Sequence, residues 1–142
     1  MQNTIQSVIF TRGLGLHSGR AINVTLKPAP ANSGIRFQRV DLNGAPALEA
    51  KAENVTSTTL ATTLGRDENR INTVEHLMAA LSALGVDNIL AEVDGPELPV
   101  FDGSAAEWVR LLTKTGLKKL AAPRRMYRVT RPFKVAVGDK SI

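Results

Sequence analysis

A chain of 142 residues, 43% hydrophobic and 22% charged, is long enough for one ordinary domain with a core of its own. It holds no cysteine, which excludes a disulfide framework, a thiolate nucleophile and any cysteine-based zinc site, so a metal could be bound only by His, Asp or Glu. The formal charge is +5, and its excess lies late, in PRRMYRVTRPFK from Pro123 to Lys134. With 4% aromatic residues there is little to stack on bases, so this stretch reads as a solvated basic face, or as a contact for a phosphate-bearing partner, rather than a nucleic-acid surface. No run of about 18 apolar residues occurs, and MQNTIQSVIF lacks the charged start and apolar stretch of a secretion leader. The expectation is a soluble, cytoplasmic protein with no transmembrane segment.

The first sixty-odd residues read as β-rich. Alternation in AINVTLKP puts Ile22, Val24 and Leu26 on one face, and IRFQRV and STTLATTL share that strand character. Gly, Pro and Asn in RGLGLHSG, KPAPANSG and DLNGAP mark turns between short strands. A helix is then predicted over 73–84, with Asn72 as N-cap, Glu75 completing a capping box and Gly85 as the stop. NILAEV follows as a strand and DGPELPVFDGS as a loop. AAEWVRLLTKTG makes a second helix with an apolar stripe of Trp108, Leu111 and Leu112. After a turn near Pro123, MYRVTRPFKVAVGDKSI reads as one long strand or the first part of a hairpin. Strands, helix, strand, helix, strand is not regular βα alternation, so the fold class expected is α+β, two helices packed on a mainly antiparallel or mixed sheet. Residues 1–123 read as one domain and 124–142 as the start of a second, truncated one.

The first helix opens with a carboxylate and an imidazole side by side, Glu75 and His76. On a helical wheel Val74, Leu77, Met78, Leu81 and Leu84 share one side, while Ala79, Ala80 and Ala83 line the opposite face, close to which a neighbour can come. The polar pair then sits at the helix's open end. There the helix dipole favours an ionised Glu75 and a neutral His76, the metal-binding form of imidazole. The metalloprotease motif needs a second His four residues on, and position 80 is alanine. His17, in GLHSG, is the other histidine, so a three-ligand zinc site would need carboxylates or ligands from elsewhere. Residue chemistry leaves two readings open: a metal ligand beside a general base, or a capping carboxylate beside a helix-end histidine. Gly13, Gly15 and Gly19 fit neither a P-loop nor a dinucleotide fingerprint and read as a tight turn.

Five strings resemble one family in order and spacing: GLGLHSG (Gly13 to Gly19), LKPAPANSGIRFQRVDL (Leu26 to Leu42), INTVEHLMAAL (Ile71 to Leu81), GVDN (Gly85 to Asn88) and PELPVFDGSA (Pro96 to Ala105). The family is the UDP-3-O-acyl-N-acetylglucosamine deacetylases, zinc enzymes of lipid A synthesis in Gram-negative bacteria, and the resemblance runs from about Gly13 to Lys140. It implies hydrolysis of the 2-acetamido group of a UDP-3-O-acyl-N-acetylglucosamine substrate, releasing acetate. His76 matches the family's zinc ligand in its first domain, and Glu75 its general base. The other ligands, a His and an Asp, belong to a His-Lys-x-x-Asp motif of the family's second domain, which is absent here. The isolated chain is therefore expected to be inactive. Asp102, which opens DGS, reads from the residues as a turn or cap and from the resemblance as a residue maintaining the active site. His17 matches a histidine with a supporting task. Leu60 and Thr62, in TTLATTL, fall in a segment the family places near the reactive end of the substrate, where some members carry cysteine and this chain has Thr59, Ala61, Thr62 and Thr63. The alternative is a catalytically silent single-domain relative that binds a UDP-sugar or a protein partner.

Overall fold

The structure, a computed structural model, describes residues 1–142. In chain order the strands are β1 (Asn3–Ile5), β2 (Ile9–Leu14), β3 (Ala21–Pro28), β4 (Ile35–Arg39), β5 (Leu48–Glu49), β6 (Val55–Ser57), β7 (Thr63–Arg66) and β8 (Asn69–Ile71). Helix α1 (Glu75–Leu84), β9 (Ile89–Val93), α2 (Ala106–Thr115), β10 (Leu117–Lys119) and two short arms, β11 (Ala136–Val137) and β12 (Lys140–Ser141), complete it. The main sheet has five strands in the order β2-β3-β9-β4-β5, antiparallel except where β4 runs parallel to β9. Two helices on mixed and antiparallel sheets make the fold α+β. No helix is long and apolar enough to cross a membrane.

One face of the main sheet forms the core. Ile22, Val24 and Leu26 of β3 are buried, as are Ile89, Ala91 and Val93 of β9 and Phe37 of β4. Leu77, Ala80 and Leu81 of α1 and Trp108 and Leu112 of α2 join the same apolar cluster. Each large side chain so buried contributes about 1.5–3 kcal/mol, which is why period-2 strands and amphipathic helices find each other. Ala80 sits inside this cluster rather than apart from the large apolar residues as the wheel has it, because α1 also packs on α2; Ala79 and Ala83, on the face expected to receive a neighbour, are exposed.

Three further expectations change. Helix α1 starts at Glu75, not at residue 73, and Asn72 does not cap it: Val74 takes the N-cap position with no side-chain cap bond. The reason is that Asn72 is held extended by a parallel bridge, its N–H donating to Pro96 O (2.9 Å) and its carbonyl accepting from Leu98 N–H (3.0 Å). The other end follows the prediction, with Gly85 at φ 69° and the paired bonds Val86 N–H to Leu81 O (2.9 Å) and Gly85 N–H to Ser82 O (3.1 Å) of a Schellman motif. STTLATTL is not one strand: β6 ends at Ser57, β7 begins at Thr63, and the chain reverses between them at Leu60, whose φ is 62°. The late segment is no long strand, since residues 126–134 join no sheet; the hairpin alternative holds at its far end, where β11 and β12 pair antiparallel.

The small β6-β7-β8 sheet joins the main one through Leu64 and Ile71, buried in the common core, and through the guanidinium of Arg39. Arg39, 5% exposed, donates from Nη1 to the carbonyls of Glu68 and Arg70 (2.9 Å each) and grips Asp41 with Nε (2.8 Å) and Nη2 (2.7 Å). The Arg39 hydrogen bonds hold the Asp41 carboxyl below its usual range against the opposing effect of burial. A depressed carboxylate contributes stability above its unfolded-state value, about 3.9, and loses it as pH falls through the lower native value. Asp41→Asn should therefore lower unfolding free energy at pH 7 by about 2 kcal/mol, less than for a fully buried pair because Asp41 is partly open to solvent. In urea melts the deficit should shrink below about pH 4 as the native carboxylate is itself protonated; a pH-independent deficit would contradict the assignment.

Candidate functional site

The start of α1, the reversal after β6 and the loop after β2 meet at one end of the fold. Thr62 N–H donates to Glu75 Oε2 (3.0 Å), and Val74 N–H donates to Thr62 O (3.4 Å). Thr62 thus acts through its backbone: it turns the Glu75 carboxylate away from capping its own helix. Thr63 Oγ1 donates to Asn72 Oδ1 (3.0 Å) beside it. His76 is half-buried, and its Nδ1 is buried without a hydrogen-bond partner. A buried polar atom left open in this way costs free energy unless something outside the chain meets it.

Asp102 is exposed and forms a turn, its Oδ1 accepting from Ser104 N–H (3.0 Å) and Ser104 Oγ (2.8 Å), while Ser104 Oγ accepts from Ala106 N–H (3.1 Å) at the start of α2. The Ser104 bonds hold its carboxyl below the usual range, with a smaller contribution from the imidazole of His76 nearby. Phe101, just before it, stacks edge-on against Trp108 with ring centroids 4.9 Å apart. Leu60, Thr73 and Phe101 all have positive φ (62°, 59° and 50°), so the segments carrying Leu60 and Thr62, Glu75 and His76, and Asp102 each contain a strained non-glycine position, whereas the His17 loop has only Gly19 at positive φ. Such strain costs about 1–3 kcal/mol per residue and persists only where surroundings enforce it.

A residue that sequence reasoning passed over joins these segments. Glu97 is 1% exposed; its Oε1 accepts from His17 N–H (3.0 Å) and Thr73 Oγ1 (3.1 Å), and its Oε2 from Ser18 N–H (2.9 Å). Burial pushes this carboxyl up, but the bonds from His17, Ser18 and Thr73 outweigh it and hold it below the ordinary value. The available signal was a lone charge inside PELPVF, a run with no other polar side chain. Gly15 belongs to the same arrangement, for a Cβ there would strike the Ser18 hydroxyl and the Glu97 carboxylate. His17 lines a cavity of about 540 Å³ whose walls include Leu60, Ala61, Thr63, Arg66 and Arg70. Leu60 is 87% exposed at its rim. Nowhere do three His, Cys, Asp or Glu side chains gather to hold a metal.

A family model described as UDP-3-O-acyl N-acetylglycosamine deacetylase matches residues 2–142. The chain belongs to this deacetylase family. Curated relatives include the UDP-3-O-acyl-N-acetylglucosamine deacetylases of Shewanella baltica strains OS155 and OS185, each 50% identical over 140 residues, covering 98% of this chain and 46% of theirs. That of Shewanella sp. strain ANA-3 is 49% identical over the same coverage. The chain spans about half the length of the curated relatives it matches.

In this deacetylase-family chain the GLGLHSG turn is shaped by what it encloses. Gly15→Ala should lower stability by about 1–3 kcal/mol, read from the urea midpoint, because neither the Glu97 carboxylate nor the Ser18 hydroxyl can retreat without losing its bonds. An unchanged midpoint would show that the loop is looser than described.

Proposed function

We propose that this chain is the N-terminal part of a zinc-dependent deacetylase that removes the 2-acetamido acetyl group of UDP-3-O-acyl-N-acetylglucosamine in lipid A biosynthesis, with Glu75 as general base and His76 as one zinc ligand. The observation that carries the reading is the pair itself: His76 presents a buried ring nitrogen with no partner, beside a Glu75 carboxylate held by Thr62 N–H. The donor set suits zinc only in part, one imidazole with neither a second histidine nor a ligating aspartate gathered around it. The remaining ligands are assigned to the portion of its relatives that this chain does not span. Zinc, when bound, polarises the amide carbonyl and makes a neighbouring water acidic enough to lose its proton near neutral pH.

The chain's own residues then divide the work. Glu75 takes the proton of the attacking water and can return it to the leaving amine. Thr62 N–H keeps that carboxylate aimed, Leu60 and His17 border a cavity that Asn72 also lines, and Asp102 holds the turn that leads into α2. A domain boundary after Pro123 is supported by Leu120 N–H donating to Gln2 O (2.8 Å) and Gln2 Nε2 to Pro123 O (3.0 Å), whereas residues 124–142 are exposed and Arg124 Nε alone pairs back, with Asp87 Oδ1 (2.7 Å). The reaction is assigned to the cytoplasm, where nucleotide-activated sugars are made.

The test is zinc content and acetate release, for the 142-residue chain and for the chain extended by the remaining length typical of its relatives. The short chain should retain little zinc after dialysis and release no acetate. In the extended protein His76→Ala should lose zinc, whereas Glu75→Gln should keep it and lose about 10²–10⁴ in kcat. Normal turnover by Glu75→Gln would remove Glu75 as the base.

A further inference from the structure

We propose that Glu97 is a positioning residue for this reaction, its buried carboxylate setting the His17 loop against the turn from which Glu75 and His76 emerge. The inference rests on the deacetylase reading above and adds a residue to which that reading gives no task.

Holding the fold together does not require the charge. The backbone around Glu97 is already fixed on one side by the two bonds to Asn72 and on the other by Val100 N–H donating to Leu14 O (2.9 Å). An apolar side chain of similar size would fill the same space without the penalty of burying a carboxylate. The charge does something the backbone bonds do not, which is to collect donors from two separate segments. His17 N–H and Ser18 N–H come from the loop after β2, and the Thr73 hydroxyl from the residue two before Glu75. Thr73 is the more telling, because a β-branched residue at φ 59° is strained and needs an external hold. Its bond to Glu97 supplies one at the point where the chain turns into α1. Releasing it lets Thr73 relax toward negative φ and swings the first turn of α1, which carries both Glu75 and His76.

Glutamine separates this role from space filling. It has the size of glutamate but one acceptor oxygen, so its amide N–H2 must face either Ser18 N–H or His17 N–H, donor against donor. In the extended protein Glu97→Gln should retain its zinc and lose about 10²-fold in kcat with KM within about twofold, the signature of a misplaced catalytic group. Thr73→Ser, which keeps the hydroxyl, should stay within about threefold of wild type, and Thr73→Val should fall as Glu97→Gln does. In the 142-residue chain, amide exchange at His17 and Ser18 should quicken by at least about tenfold in Glu97→Gln while Ile22 and Ile89 keep their protection. A Glu97→Gln protein with a lowered melting temperature but wild-type kcat would reduce Glu97 to a structural residue and overturn the proposal. So would lost turnover with unchanged exchange at His17 and Ser18. An inactive wild-type extended protein would instead overturn the deacetylase reading, and the catalytic role of Glu97 with it.

Discussion

A carboxylate can stay ionised out of water only if fixed donors replace its hydration, and the buried side chain of Glu97 imposes that condition on this fold. Two of its donors are successive backbone amides, which can point at one carboxylate only if the loop at His17 and Ser18 is turned tightly. The tightness forces Gly15, because a Cβ would occupy the space of the carboxylate. The third donor, Thr73, stands in a left-handed backbone conformation between the Asn72 bridge and the first turn of α1. One buried charge thus accounts for a glycine in GLGLHSG and for the hold on a strained threonine just before the helix.

Beneath this arrangement lies an ordinary apolar ledge. The inward faces of β3, β9 and β4 are covered by α1 and α2, and that packing sets the direction of α1 whatever occurs at its first turn. The β6-β7-β8 sheet puts Leu64 and Ile71 into the same core and adds polar contacts at its margins: Arg39 from one side, and the bonds of Thr62 and Thr63 to Glu75 and Asn72 from the other. It borders the 540 Å³ cavity. Directed bonds at that border fix its shape without filling the cavity.

What could be read from the sequence follows the same division. Alternation in AINVTLKP gave the buried face of β3, Gly85 the end of α1, and Trp108 with Leu112 the inward side of α2, because burial and backbone freedom act through residues near in sequence. The α+β class followed from element order. The errors arise where distant segments compete for one residue. Asn72 and Glu75 have the spacing of a capping box, yet the bridge to Pro96 and Leu98 takes the first and Thr62 the second. STTLATTL has strand composition throughout, and only pairing between its own ends makes it reverse at Leu60. The lone charge inside PELPVF was the one sign of Glu97, and its task stayed hidden because its partners lie about 80 residues earlier and 24 earlier in the chain.

The proposed chemistry sharpens why such fixation matters at this end of the molecule. A histidine that is to serve as a metal ligand must leave a ring nitrogen unsatisfied, and a carboxylate that is to serve as a base must keep lone pairs free for a proton. Both requirements remove local hydrogen bonds that would otherwise secure the first turn of a helix. Indeed α1 has no side-chain cap. The order lost there is supplied from outside the helix, by Thr62 to Glu75 and by Glu97 through Thr73. That is the reason a site of this kind couples a strained turn to a buried charge: reactive groups stay poised because neighbours that take no part in bond making hold the backbone for them.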